Sequence, residues 1–204
     1  MALNTYANLK ASIESWSKRS DVSTSIDDFI DLAESEMWRH LELRSMEARA
    51  TASLSTSSRY LALPDYFIKM RRFEVIVSSE RYELEQVSPA SLNVSTGTGA
   101  PCYFTITSQI EFDITPADDY TVEMQYYKSL TALSSSNTTN SVLTDYPSIY
   151  LFGSLWALYD WALNAEKAEY YNAKFMAAIG SANAKDKAGR FGAAPRMRLE
   201  GATP

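Results

Sequence analysis

Large apolar residues recur at helical spacing in four places along the chain. Between the second and third places they fall instead at alternate positions. After Pro147 they run Ile149, Phe152, Leu155, Trp156, Tyr159, Ala162, Leu163, the i, i+3, i+4, i+7 spacing of a helix with one wide buried stripe. Pro147 suits the first turn, where a missing N–H costs nothing. Asn164 offers an N-cap to a following helix, whose stripe is Ala168, Tyr171, Phe175, Ala178, Ile179 and Ala182 and whose terminator is Gly189. The spacing predicts two antiparallel helices over 147–163 and 165–188 joined by a very short turn. Toward the N-terminus, Tyr6, Leu9, Ile13 and Trp16 predict a helix over 5–17. Ile26, Phe29, Ile30, Ala33, Met37 and Leu41 predict another over 25–44, with Ser25 and Asp28 in capping-box positions.

From Met46 the period changes from 3.6 to 2. Ala50, Ala52 and Leu54 alternate with polar residues, as do Phe73, Val75 and Val77, and then Tyr82 and Leu84. The cleanest alternations put Cys102, Phe104 and Ile106 on one face, then Ile110, Phe112 and Ile114, then Tyr120, Val122, Met124 and Tyr126. One-sided alternation marks antiparallel strands with one wet face. Turns near Ser108 and at Pro116–Asp119 predict consecutive hairpins. All four tryptophans lie in helical segments, so the simplest packing puts all four helices in one core. The expected fold is α+β: a discontinuous four-helix bundle from 1–45 and 142–188, with an antiparallel β-domain, 46–130, inserted between the second and third helices. An extended tail, 189–204, follows.

Composition narrows the function. The 204 residues carry a formal net charge of −6, which argues against a surface devoted to gripping nucleic-acid phosphates. One cysteine excludes an intrachain disulfide, and one histidine removes most metal and general-base designs. The N-terminus has no basic region leading into an apolar run, so no signal peptide is expected. The longest apolar segment, Ile149 to Leu163, is too short to span a bilayer and carries Asp160, so no membrane association is expected.

Candidate chemistry is thin. His40 has no metal-ligand spacing around it and reads as a surface or packing histidine. Cys102, on the apolar face of its strand, reads as a small core residue. Gly97-Thr98-Gly99 lacks the third glycine and the helix of a phosphate loop. The adjacent pairs Asp27-Asp28 and Asp118-Asp119 cap and solubilise rather than share a proton. No nucleophile, base and oxyanion donor can be assembled, so neither an enzyme, a cofactor nor a metal is expected.

Four stretches, in order, are similar to a known family. They are Ile26-Asp-Asp-Phe-Ile-Asp-Leu-Ala-Glu34 running on to Met46-Glu47, and Tyr60-Leu-Ala-Leu-Pro-Asp-Tyr-Phe67. Then come Asn140 to Tyr159, with Leu-Thr-Asp-Tyr-Pro and Leu-Phe-Gly-Ser-Leu, and Gly189-Arg-Phe-Gly-Ala-Ala-Pro-Arg-Met-Arg198. The chain resembles the head-to-tail adaptors of tailed phages, the group related to tail tubular protein A. The resemblance implies a structural virion protein of the neck, assembled in the host cytoplasm. It implies a homo-oligomeric ring, usually a dodecamer, under the portal protein, with a tail or nozzle protein below. Genomic DNA would pass through the lumen without specific binding, and an acidic lumen suits a conduit. Another neck component, such as a head-completion or stopper protein, is the alternative. A small nucleic-acid-binding domain is disfavoured by the charge.

In that frame the tail gains a role. Its three arginines against Glu200 leave it at +2 in an acidic chain, and its apolar residues have no local core. Arg190, Phe191, Pro195, Arg196, Met197, Arg198 and Leu199 are the expected portal-binding residues, with apolar anchors and arginines for carboxylates. The loops Ser95–Pro101 and Pro116–Asp119 are expected to meet adjacent subunits or the tail.

Overall fold

The computed structural model describes residues 3–190. They divide into two compact units, residues 3–45 with 131–190, and Met46–Leu130.

The first unit holds five α-helices among the described residues: α1 (Tyr6–Ser17), α2 (Ile26–His40), α3 (Ser141–Asp145), α4 (Pro147–Trp161) and α5 (Ala165–Arg190). Thr5 caps α1 by accepting the Asn8 N–H at 3.3 Å, and Lys18, with φ 54°, turns the chain out of it. The Ser25 side chain makes no capping bond, so the first turn of α2 relies on Asp27 and Asp28 against the helix dipole. α2 stops at His40, short of the expected residue 44, because Leu41 and Leu43 are both buried on either side of exposed Glu42. That alternation needs an extended chain. Asn140 caps the short α3, taking the Leu143 N–H at 2.9 Å. Asn164 caps α5, taking the Lys167 N–H at 3.1 Å.

The helices are not the expected four-helix bundle with an inserted β-domain. In such a bundle each helix gives one stripe to a shared core. Here α4 is the hub. It packs against α2 and α5 most extensively, against α3 and α1 less, and α1 touches α2 only lightly. The reason lies in α4's own sequence. Ile149, Tyr150, Leu151, Gly153, Ser154, Leu155, Ala157, Leu158 and Tyr159 are all buried, so it is covered on every side rather than along one stripe. A helix buried all round takes the centre. Gly153 marks the tightest approach. A Cβ there would lie 2.9 Å from the Ala33 Cβ of α2 and 2.9 Å from the Phe175 ring of α5. Trp16 packs on Phe152, Trp161 on Phe29, and Trp156 stacks on Phe175, with centroids 6.2, 5.7 and 6.1 Å apart.

The second unit contains β1 (Glu47–Ser53), β2 (Tyr60–Leu61), β3 (Phe67–Val77), β4 (Glu80–Glu83), β5 (Glu85–Gln86), β6 (Thr98–Gly99), β7 (Tyr103–Ile106), β8 (Ile110–Phe112), β9 (Thr115–Pro116) and β10 (Thr121–Lys128). One sheet runs β1-β10-β3-β4, all antiparallel; another runs β2-β8-β7-β5. Phe73 of β3 meets Phe104 edge-on at 4.9 Å and Phe112 at 5.8 Å, joining the two sheets through one apolar core with Val75, Leu84, Ile110, Val122 and Met124.

Three expectations fail in this unit. The β7–β8 hairpin forms, but the chain at Pro116–Asp119 does not close another. β10 pairs with β1 and β3, because a strand with three inward apolar residues is stabilised most in a sheet centre. The pairs β5–β7 and β6–β9 are parallel, each only two residues long. Cys102 is exposed rather than in the core. The Asp113 carboxylate takes the Cys102 and Tyr103 N–H groups at 3.1 and 3.2 Å, and the strand begins at Tyr103, one residue after Cys102.

Candidate functional site

The expected binding segment begins where α5 ends. The helix runs through Gly189 to Arg190, past the expected end at residue 188. Gly189 packs close to the Arg44 side chain: a Cβ there would lie 3.3 Å from its guanidinium. Three polar residues at helical spacing on α5, Asn183, Asp186 and Arg190, grip the extended chain that leaves α2. The Asn183 amide donates to the His40 carbonyl at 2.8 Å and accepts the Glu42 N–H at 3.0 Å. The Asp186 carboxylate accepts the Arg44 N–H at 3.2 Å, the Arg44 guanidinium at 3.1 Å and the Arg190 guanidinium at 3.1 Å. Arg190 also reaches the Glu42 carbonyl at 3.4 Å. Burial alone would raise the Asp186 carboxyl, but its bonds to the two arginines outweigh that and hold it below the usual carboxylate range.

Arg190 is therefore bonded within its own unit, at the root of the expected portal-binding segment. Phe191, Pro195, Arg196, Met197, Arg198 and Leu199 lie outside the described residues. The clamp was not expected from the sequence. Its only signal was polar residues at positions 183, 186 and 190, on the side of α5 that also carries buried Ile179 and Ala182.

A second polar device lies deeper. Glu34 of α2 is buried and accepts the Tyr150 hydroxyl at 2.7 Å and the Leu133 N–H at 2.9 Å. Tyr150, fully buried, accepts the Asn140 amide at 2.6 Å. Burial pushes the Glu34 carboxyl above its ordinary range, against the lowering effect of its two donors. Burial, then the nearby Glu34 charge, also pushes the Tyr150 hydroxyl up, which keeps it a donor.

The loops expected to make contacts are joined to each other: β6 pairs with β9, and the Ala117 N–H donates to the Gly99 carbonyl at 3.1 Å. The outer face of the four-stranded sheet carries an ionic ladder. Arg81 bonds Glu74 at 3.0 Å and Glu123 at 2.7 Å, and Arg72 bonds Glu74 at 2.7 Å. His40 bonds Glu36 at 3.1 Å on the surface. Among the described residues no cluster of His, Cys, Asp and Glu is arranged to hold a metal ion. Among them, too, no helix is long and apolar enough to cross a membrane.

Paired guanidiniums, buried carboxylates and a clamped helix end make a scaffold that fixes chain segments. No curated protein matches the chain. The family model for the SU10 adaptor protein matches residues 4–198, spanning both units, the clamp and most of the C-terminal segment. The chain therefore belongs to the SU10 adaptor protein family, the structural adaptors of the tailed-phage head–tail junction.

Proposed function

We propose that this protein forms a homo-oligomeric ring beneath the portal, extends the DNA channel and gives the tail its attachment site. The family match carries this reading, because it covers nearly the whole chain rather than one motif. The copy number proposed from the resemblance is that of a dodecamer. Residues 191–204 are the proposed portal-binding arm, with Phe191, Met197 and Leu199 as apolar anchors and Arg196 and Arg198 for portal carboxylates. The clamp supports the arm mechanically: Asn183, Asp186 and Arg190 fix the end of α5, so the arm leaves from a defined point. Ordering such an arm costs about 2–5 kcal/mol, so a single copy binds modestly and ring multiplicity supplies the rest. The joined loops around Gly99 and Ala117 are the proposed contacts to neighbouring subunits or the tail component.

Co-sedimentation with purified portal rings tests this. The chain cut after Arg190 keeps the clamp, so it folds as the full chain does but fails to sediment with portals. Equal sedimentation of the two proteins rejects the arm. Failure of both rejects portal binding altogether.

A further inference from the structure

Five residues of α5 define its inner face: Ala168, Phe175, Ile179, Ala182 and Asp186 are buried. On the outward side a second line of residues runs Glu169, Ala173, Met176, Gly180, Ala184, Lys187, in steps of three and four. All six are exposed, and Met176, a large apolar side chain, is 39% exposed. Steps of three and four are the spacing of a seam that packs on a second helix. A Cβ at Gly180 would meet no atom within 4 Å, so the chain itself does not fill the notch there.

The line is complementary to its own reverse. It runs acid, small, methionine, then glycine, small, base. Turned over about a point near residue 178, Glu169 falls on Lys187, Ala173 on Ala184 and Met176 on Gly180. In an antiparallel helix pair the same flank of each helix faces its twin, so these residues meet across the two-fold axis. Neither Glu169 nor Lys187 is engaged in an ion pair within the described residues.

We propose that α5 is a self-complementary docking face, and that two copies of this chain pair through it with their α5 helices antiparallel. Met176 of each copy fills the notch at Gly180 of the other. Glu169 and Lys187 form an ion pair at each end of a seam about 27 Å long. A two-fold contact closes at two copies and cannot generate a larger ring. The pair is therefore a form of the unassembled subunit, separate from the proposed ring, and stands or falls independently of it. The seam is short for a permanent interface, so the pair exchanges with monomer.

Sedimentation equilibrium of the full chain over a range of concentrations tests this. Monomer and dimer in exchange are expected. Lys187→Glu sets glutamate against glutamate at both ends and weakens pairing by about tenfold or more. Glu169→Lys does the same with lysines, and the combined Glu169→Lys, Lys187→Glu variant recovers the loss. Gly180→Leu blocks the notch and leaves monomer, with unchanged circular dichroism showing that the helix is intact. A monomer at every concentration overturns the proposal. So does a dimer indifferent to the single reversals, or a combined variant no better than either reversal alone.

Discussion

The two units solve the same problem by different means. The β unit is one continuous stretch of chain, and its register is set by ladders of backbone hydrogen bonds. Its core cluster is apolar, and its buried carboxylate, Glu74, is held by Arg72 and Arg81 in an ionic ladder on the opposite face of the four-stranded sheet. The helical unit is built from two stretches separated by the whole β unit. Apolar contacts between helices are non-directional, so they specify register less uniquely than paired polar groups do. The helical unit places directional bonds where its stretches meet: Glu34 to Leu133 and Tyr150, Asp186 to Arg44, Asn183 to His40 and Glu42. Buried polar contacts add little stability over apolar packing, but a misplaced helix would leave each of them unpaired. A chain joined by a ladder needs fewer such contacts than one reassembled from distant segments.

The sharpest way to break this contrast is at Gly153. Gly153→Val drives atoms into Ala33 and Phe175 at the point where α2, α4 and α5 meet. It should cost about 3 kcal/mol. Hydrogen exchange read by mass spectrometry should show lost protection in 3–45 and 131–190 and unchanged protection in the β unit. Loss in both units would mean that they fold as one.

Tyr150→Phe removes the hydroxyl between Asn140 and Glu34 while keeping the ring. It should cost about 2 kcal/mol in chemical denaturation, since buried Glu34 loses a donor. A neutral result would mean that the network is not what fixes the register.

Asp186→Asn should cost about 1.5 kcal/mol at neutral pH, with Arg44 and Arg190 losing their charged partner. The pH dependence has a definite sign. The folded-state pKa of Asp186 is depressed, so its contribution is complete above the ordinary value of 3.8 and is lost as pH falls through the lower folded value. Glu34, whose folded pKa is raised, works in the opposite direction: its buried charge costs stability, and that cost is relieved as pH falls through the raised folded value to the ordinary 4.5. Thermal melts of the Asn variant should therefore lack the acid-side loss assigned to Asp186.

The smallest effects come from strained turns, one in each unit. Leu163, between α4 and α5, has φ 53°, and Ser79, between β3 and β4, has φ 72°. Glycine at either position should raise stability by about 1 kcal/mol, and by hydrogen exchange each should act only on its own unit.

Much of this was readable before the fold was known. Pro147, Asn164 and the change of period at Met46 mark element boundaries through local chemistry, and local chemistry is what a sequence carries. The end of α2 was misplaced because Leu41 fits both the helical stripe and the extended alternation with Leu43. The arrangement of helices was hidden because the residues after Pro147 fit one stripe, while Tyr150, Leu151, Ala157 and Leu158 fill the others. The polar network had no sequence signal at all. Glu34 and Tyr150 lie 116 residues apart, and nothing near either one marks it as a partner of the other. For the C-terminal segment, composition and the resemblance supplied the residues, and the structure adds the clamp on α5 from which the segment departs.

Native mass spectrometry of portal rings mixed with an excess of the full-length protein addresses the adaptor role most directly. The predicted result is a single complex in which adaptor copies match portal subunits one for one, and which is lost when the chain is cut after Arg190. Portal rings that stay bare, or that carry adaptor in scattered and variable numbers, would contradict it.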